Sequence, residues 1–135
     1  MGNGADGRVC ASLRKGIGHL GMILFLDDND NRGAYFTQQH PDATWVKTVE
    51  DCIHQLSRDV EWDSIWLDHD LGGGSMVDSS RTDCGMEIVR WMCISPVKVK
   101  FVVVHSHNHG AADTMIKELG NAGYVAHRIL FPIVQ

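Results

Sequence analysis

Three apolar runs in this chain each end in side chains that bind cations or move protons. Residues 22–26 lead into Asp27 and Asp28, residues 65–67 into Asp68, His69 and Asp70, and residues 101–104 into His105, Ser106, His107, Asn108 and His109. Clustered carboxylates take a divalent cation. Mixed oxygen and nitrogen ligands suit Mn²⁺, Zn²⁺ or Fe²⁺, and a purely carboxylate set suits Mg²⁺. Such an ion polarises a phosphodiester and acidifies a water, while a nearby imidazole carries the proton. Phosphoester hydrolysis is the chemistry these residue types can do together. Taken singly, an acidic pair is more often a solvated turn and a lone histidine a structural one. Three acid-or-histidine strand ends in one short chain shift that balance toward function.

The elements that must position these groups follow from periodicity. Short β-branched or apolar runs at residues 22–26, 43–47, 65–67, 99–104 and 124–129 read as strands. Helical spacing is expected over residues 31–39, after Thr48, up to about Ile94 and over residues 111–119. Thr48 with Asp51 offers a hydroxyl cap and an acid three residues on, and Pro41 and Pro96 mark stops. Strands alternating with helices imply an α/β fold, a single doubly wound parallel sheet of five strands with helices on both faces. Such sheets bind ligands beyond the carboxyl ends of their strands, where every polar cluster named above lies.

Strand alternation, continued past each apolar run, would put Asp68 and Asp70 on one side with His69 on the other, and His105 on the same side as His107. On that reading Asp27, Asp28, Asp68, Asp70, His105 and His107 share one cation site, and a histidine outside it handles the proton.

The chain has 135 residues, 44% hydrophobic and 21% charged, enough for one domain and too few for two. Residues 1–21 hold six glycines and no strand or helix period, so they read as a flexible extension ahead of a domain at 22–135. No run approaches the roughly twenty residues of a membrane span. The net charge of −5 argues against a duplex-DNA binder, though not against a phosphorylated small molecule or an RNA end met through a cation. Four cysteines without paired spacing suggest a reducing, cytoplasmic setting with the thiols as small core residues. Residues 72–74 are glycines without the lysine of a phosphate-binding loop and read as a hinge or lid; the four tryptophans read as packing residues.

Residues 23–28, residues 66–68 and residues 83–89 together resemble the receiver domain of response regulators. The resemblance spans residues 22–132 and implies the sheet order 2-1-3-4-5. It also implies Mg²⁺ on Asp27, Asp28 and Asp68, with Asp68 as phosphoacceptor. Two features depart from receivers. Ser106 sits inside a histidine cluster, and His127-Arg128 stands where a lysine is expected, replacing a point charge by a fork. With Asp68-His69-Asp70 and the run from His105 to Asn108, the chain is similar to a receiver-derived family of bacteria and phages associated with cyclic-phosphate processing. That likeness implies a metal-dependent phosphodiesterase acting on a cyclic nucleotide or an RNA 2′,3′-cyclic phosphate. Catalysis would involve Asp68, His105, His107 and Arg128. Substrate contacts would come from His69, Ser106, Asn108, His109, His127 and Arg128. A phosphoacceptor receiver and a non-catalytic binder of a phosphorylated signal are the alternatives.

Overall fold

In the computed structural model, residues 21–71 and 76–131 are described; residues 1–20 of the extension and the glycine run fall outside them. Five strands, β1 (Ile23–Leu26), β2 (Thr44–Val46), β3 (Trp62–Leu67), β4 (Val99–Val104) and β5 (Ala126–Arg128), form one parallel sheet in the order β2-β1-β3-β4-β5. Between them lie helices α1 (Asp30–Gln39), α2 (Val49–Leu56), α3 (Gly85–Ile94) and α4 (His109–Asn121). This is the expected receiver-like architecture. The third strand begins three residues before its apolar run, because Trp62 is fully buried and its backbone pairs with β4.

The alternation along each strand decides which helices it faces. Leu24, Leu26, Ile65, Leu67, Val102 and Val104 point to one side, where Cys52, Leu56, Ile88, Val89, Met92, Met115 and Leu119 from α2, α3 and α4 cover them. Phe25 points to the other side and stacks on Phe36 of α1, ring centroids 4.1 Å apart, with Phe131 closing the cluster. Fully buried side chains of this size contribute roughly 1.5–3 kcal/mol each, so the central strands are the anchor for everything at their ends.

Local chemistry sets the helix starts. Asn29 caps α1 by accepting from the Arg32 amide at 2.9 Å, Thr48 caps α2 through Asp51, and Asn108 caps α4 through Ala111. Two glycines allow close approaches. A Cβ on Gly33 would stand 1.9 Å from the Trp45 ring, and one on Gly85 would stand 1.8 Å from the Asp68 carbonyl oxygen. The first lets Trp45 lie against α1 and donate its indole N–H to the Asp27 carbonyl. The second lets α3 begin directly against the end of β3, where the Gly85 amide donates to the His69 carbonyl.

Of the cysteines described, Cys52 and Cys84 are core thiols, as expected. Cys93 is exposed, so that expectation is corrected for it: it falls on the outer side of α3, after the last buried position, Met92. No helix among the described residues is long and apolar enough to cross a membrane.

Candidate functional site

β1 and β3 are neighbours in register, Leu26 beside Leu67, so the residues that follow them emerge side by side. Asp27, Asp28 and Asp68 each offer a carboxylate oxygen, and these oxygens lie within 4.8 Å of one another. Asp27 is fully buried and Asp68 nearly so. A guanidinium shares the cluster. Arg32, one turn into α1, forks Asp27 through Nε at 2.7 Å and Nη2 at 3.0 Å, and Nη2 stands 3.5 Å from Asp68. This bidentate geometry is the strong form of the pair.

The crowding of the carboxylates shows in Asp68. Burial, and next the charge of Asp27, push the Asp68 carboxyl up to about 8, against the pull of Arg32 and of the His69 amide that donates to it at 2.8 Å. A divalent cation relieves that crowding, and hard oxygen donors from carboxylates are the set Mg²⁺ or Mn²⁺ takes. The residues present fit such an ion.

The structure does not bring Asp70, His105 and His107 into this cluster, and the reason lies in where the strands stop. β3 ends at Leu67 and β4 at Val104, so the alternation assumed beyond those points does not operate. Asp70 turns away toward residues 76–79. It accepts from the Met76 amide at 2.7 Å, the Val77 amide at 3.1 Å and the Asn108 side chain at 3.2 Å. Partial burial opposes its ionisation, yet the hydrogen bonds from His69, Asn108 and those amides hold its carboxyl below the usual range.

His69, expected at the substrate, is fully buried. Its Nδ1 donates to Asp70 at 2.7 Å, which leaves Nε2 to accept from the Ser79 hydroxyl at 2.9 Å. The Asn108 amide nitrogen also comes within 3.4 Å of Nδ1, but with that nitrogen already a donor the working bond is the one to Asp70. This chain of bonds joins the end of β3, the loop before α3 and the first turn of α4. Met76, in the left-handed region at φ 53°, is held there by its bond to Asp70.

His105 is buried between two aromatic rings, with centroids 4.9 Å from Phe25 and 5.0 Å from Phe131. Its Nε2 lies 3.2 Å from the Leu26 carbonyl, which can only accept. Nε2 therefore carries the proton and the neutral ring leaves Nδ1 bare, without a partner and 3.7 Å from an Asp27 oxygen. Burial pushes this imidazole down to about 4, overcoming the attraction of Asp27. The ring touches the cluster only through Asp27.

The other basic and polar positions form a corner of their own. Ser106 is buried; its hydroxyl accepts from the Asn108 amide and its carbonyl from Arg128 Nη2 at 2.8 Å. Arg128 Nη2 also donates to His109 Nδ1 at 2.7 Å, and Nη1 stands 3.9 Å from Asp113, while Nε is buried without a partner. His107 and His127 are exposed, His127 edge-on to Phe101. Arg32 was not anticipated from sequence. The available signal was its place three residues after the capping Asn29, where the first turn of a helix rising from an acidic strand end must face the acids.

The sequence model of the cyclic-phosphate processing receiver domain matches residues 22–121. Among solved structures, the response regulator DrrB of Thermotoga maritima, an OmpR/PhoB homolog, is similar in fold, with a TM-score of 0.53 and 18% identity. The match covers 85% of this chain and 47% of that one. No curated protein sequence matches. With a receiver's sheet order, its acidic strand ends and a family match over most of its length, this chain belongs to the cyclic-phosphate processing receiver domain family.

Proposed function

We propose that the chain is a cation-dependent phosphodiesterase that opens a cyclic phosphate, either a cyclic nucleotide or an RNA 2′,3′-cyclic end. The observation that carries this reading is the set of three converging carboxylates on Asp27, Asp28 and Asp68, whose oxygens lie within 4.8 Å of one another. The family's cyclic-phosphate description supports the substrate class. A divalent ion held by the three aspartates supplies Lewis acidity toward a phosphoryl oxygen. Arg32, about a quarter exposed beside Asp68, is the guanidinium placed to meet nonbridging oxygens as negative charge develops. Asp27 is oriented by Arg32, by the Asn29 amide that donates to it at 2.9 Å, and by the buried wall of His105. Of the histidines that follow β3 and β4, His107 and His109 are exposed at the head of α4 and open to solvent for proton transfer, whereas His105 and His69 are enclosed.

Incubation with 2′,3′-cyclic AMP or 3′,5′-cyclic GMP and Mn²⁺, Mg²⁺ or Zn²⁺, followed by chromatography of the products, tests this. Hydrolysis lost in Asp68→Ala is the expected result. No turnover with any of these metals overturns it, and tight binding with the ligand recovered intact assigns the site to capture of a phosphorylated signal instead.

A second reading is favoured by one observation: Asp68 stands at the end of β3, where receivers carry their phosphoacceptor. A single phosphoryl adduct on Asp68 after treatment with acetyl phosphate and Mg²⁺ would place the chain among signalling receivers.

A further inference from the structure

Beside the carboxylates, the N-terminal parts of α2 and α3 line an open cavity of about 710 Å³. Val49 and Ile53, one turn apart on α2, form an apolar floor with the buried Leu71. Asp83 and Glu87 stand across it, and Glu50 and Lys47 lie at the α2 end. Asp28 is the shared boundary: it lines this cavity and belongs to the carboxylate cluster. A cation and one phosphate need no such space. The volume falls in the range of small-molecule sites, about 300–1,000 Å³.

We propose that this cavity is the nucleoside subsite of the same centre, holding the base of a ligand whose single phosphate rests at Asp27, Asp28 and Asp68. The inference rests on the reading of those carboxylates as a phosphate site and adds where the base binds and which base fits. Three features select a nucleoside. The floor is apolar and its aliphatic side chains suit a flat ring. The rim offers acceptors: Glu50, Asp83 and Glu87 present carboxylates, and Arg81 and Arg90 orient the latter two while leaving them acceptor capacity. A base with amino or imino N–H groups, such as guanine, satisfies such a rim, whereas an acyl chain leaves it unmatched. Finally, the cation of the rim, Lys47, is already engaged by Asp30 and lies over the Trp45 ring. The remaining acidic rim repels additional phosphates. The subsite therefore takes a mononucleotide in preference to a nucleoside triphosphate.

Calorimetric titration with guanosine 3′-monophosphate and with inorganic phosphate, each with Mn²⁺, tests the proposal. The nucleotide is expected to bind at least tenfold more tightly than phosphate, and Ile53→Trp, which fills the floor, to reduce that ratio at least tenfold. Methyl NMR of the unaltered protein is the second measurement, independent of how that variant folds: the Val49, Ile53 and Leu71 methyl signals should move with the nucleotide and stay in place with phosphate. An equal affinity for both ligands, or still methyls under saturating nucleotide, overturns the subsite. Failure of the underlying reading looks different. If Mn²⁺ and phosphate do not bind while the methyls still respond to nucleotide, the carboxylate site falls and the nucleoside subsite stands.

Discussion

The ends of β1 and β3 and the ends of β3 and β4 carry equally polar sequences, yet the structure finishes them in opposite ways. At the first, Asp27, Asp28 and Asp68 crowd together with Arg32 as the guanidinium among them, and burial and the neighbouring Asp27 push the Asp68 carboxyl well above the usual range. At the second, Asp70, His69, Ser79 and Asn108 pass hydrogen bonds from one to the next until donors and acceptors are matched. Crowded carboxylates at neighbouring strand ends invite a cation. A matched buried network instead fixes geometry. Polar residues at strand ends thus divide into a group that binds and a group that holds the binding group in place.

The largest expected effect breaks the first region. Asp68→Asn removes one carboxylate of three and should weaken Mn²⁺ binding by at least a hundredfold, about 3 kcal/mol, as read by calorimetry or Mn²⁺ EPR. The same variant should melt higher than the wild type in the absence of cations at pH 8, since it deletes a buried, repelled charge. Unchanged Mn²⁺ affinity would mean that the ion sits elsewhere, and the comparison would lose its first member.

His69→Ala breaks the second region. It strands Ser79 and Asp70 and opens a cavity in a fully buried position, and a loss of about 2–4 kcal/mol in denaturant unfolding is expected. Mn²⁺ affinity should change far less than in Asp68→Asn. A hundredfold loss of Mn²⁺ in a still-folded His69→Ala would show that the two regions act as one site.

These contrasts also explain what was legible in the sequence. The five strands, their order and the strand-end location of the site followed from apolar runs such as residues 101–104 and from the receiver resemblance, because burial on both sheet faces leaves a strong mark. The division of labour among the polar residues did not follow. It depends on where each strand stops, a matter of one or two residues that Gly85 helps decide by letting α3 abut Asp68. A strand running on to Asp70 would have put that carboxylate beside Asp68; a strand ending at Leu67 sends it to Met76 and Val77. Arg32 escaped notice for a related reason. Its role comes from the cap at Asn29, which orients the first turn of α1, and no spacing rule for cation sites includes it.

A pH titration sharpens the comparison at a somewhat smaller scale. Asp68 has its folded value raised from 3.8 to about 8, so the native state holds a proton the unfolded chain has released, and stability from this group falls as pH rises between those values. His105 has its folded value lowered from 6.5 to about 4, so stability from this group is full above 6.5 and falls as the pH drops toward 4. From pH 4 to 6.5 the two slopes oppose each other and nearly cancel. From 6.5 to 8 only Asp68 acts, and unfolding free energy should fall by up to about 2 kcal/mol. Asp68→Asn or saturating Mg²⁺ should flatten that upper limb, as measured by urea unfolding at a series of pH values. A persistent fall in Asp68→Asn would assign the titration to another group.

The smallest effect probes how firmly the matched network holds its loop. Met76 is 71% exposed and sits at φ 53°, where a side chain costs about 1–2 kcal/mol relative to glycine. Among the described residues, the bond that offsets that cost is the amide it gives to Asp70 at 2.7 Å. Met76→Gly keeps the amide and removes the Cβ, against a larger entropy loss on folding, so a net gain of about 0.5 kcal/mol is expected in chemical unfolding. Asp70→Asn should in turn loosen the loop and speed amide exchange at Met76 and Val77 in both backgrounds. If Met76→Gly is instead destabilising, the left-handed turn is set by the side chain and not by the Asp70 carboxylate, and the clamp has its cause in the loop rather than in the strand end.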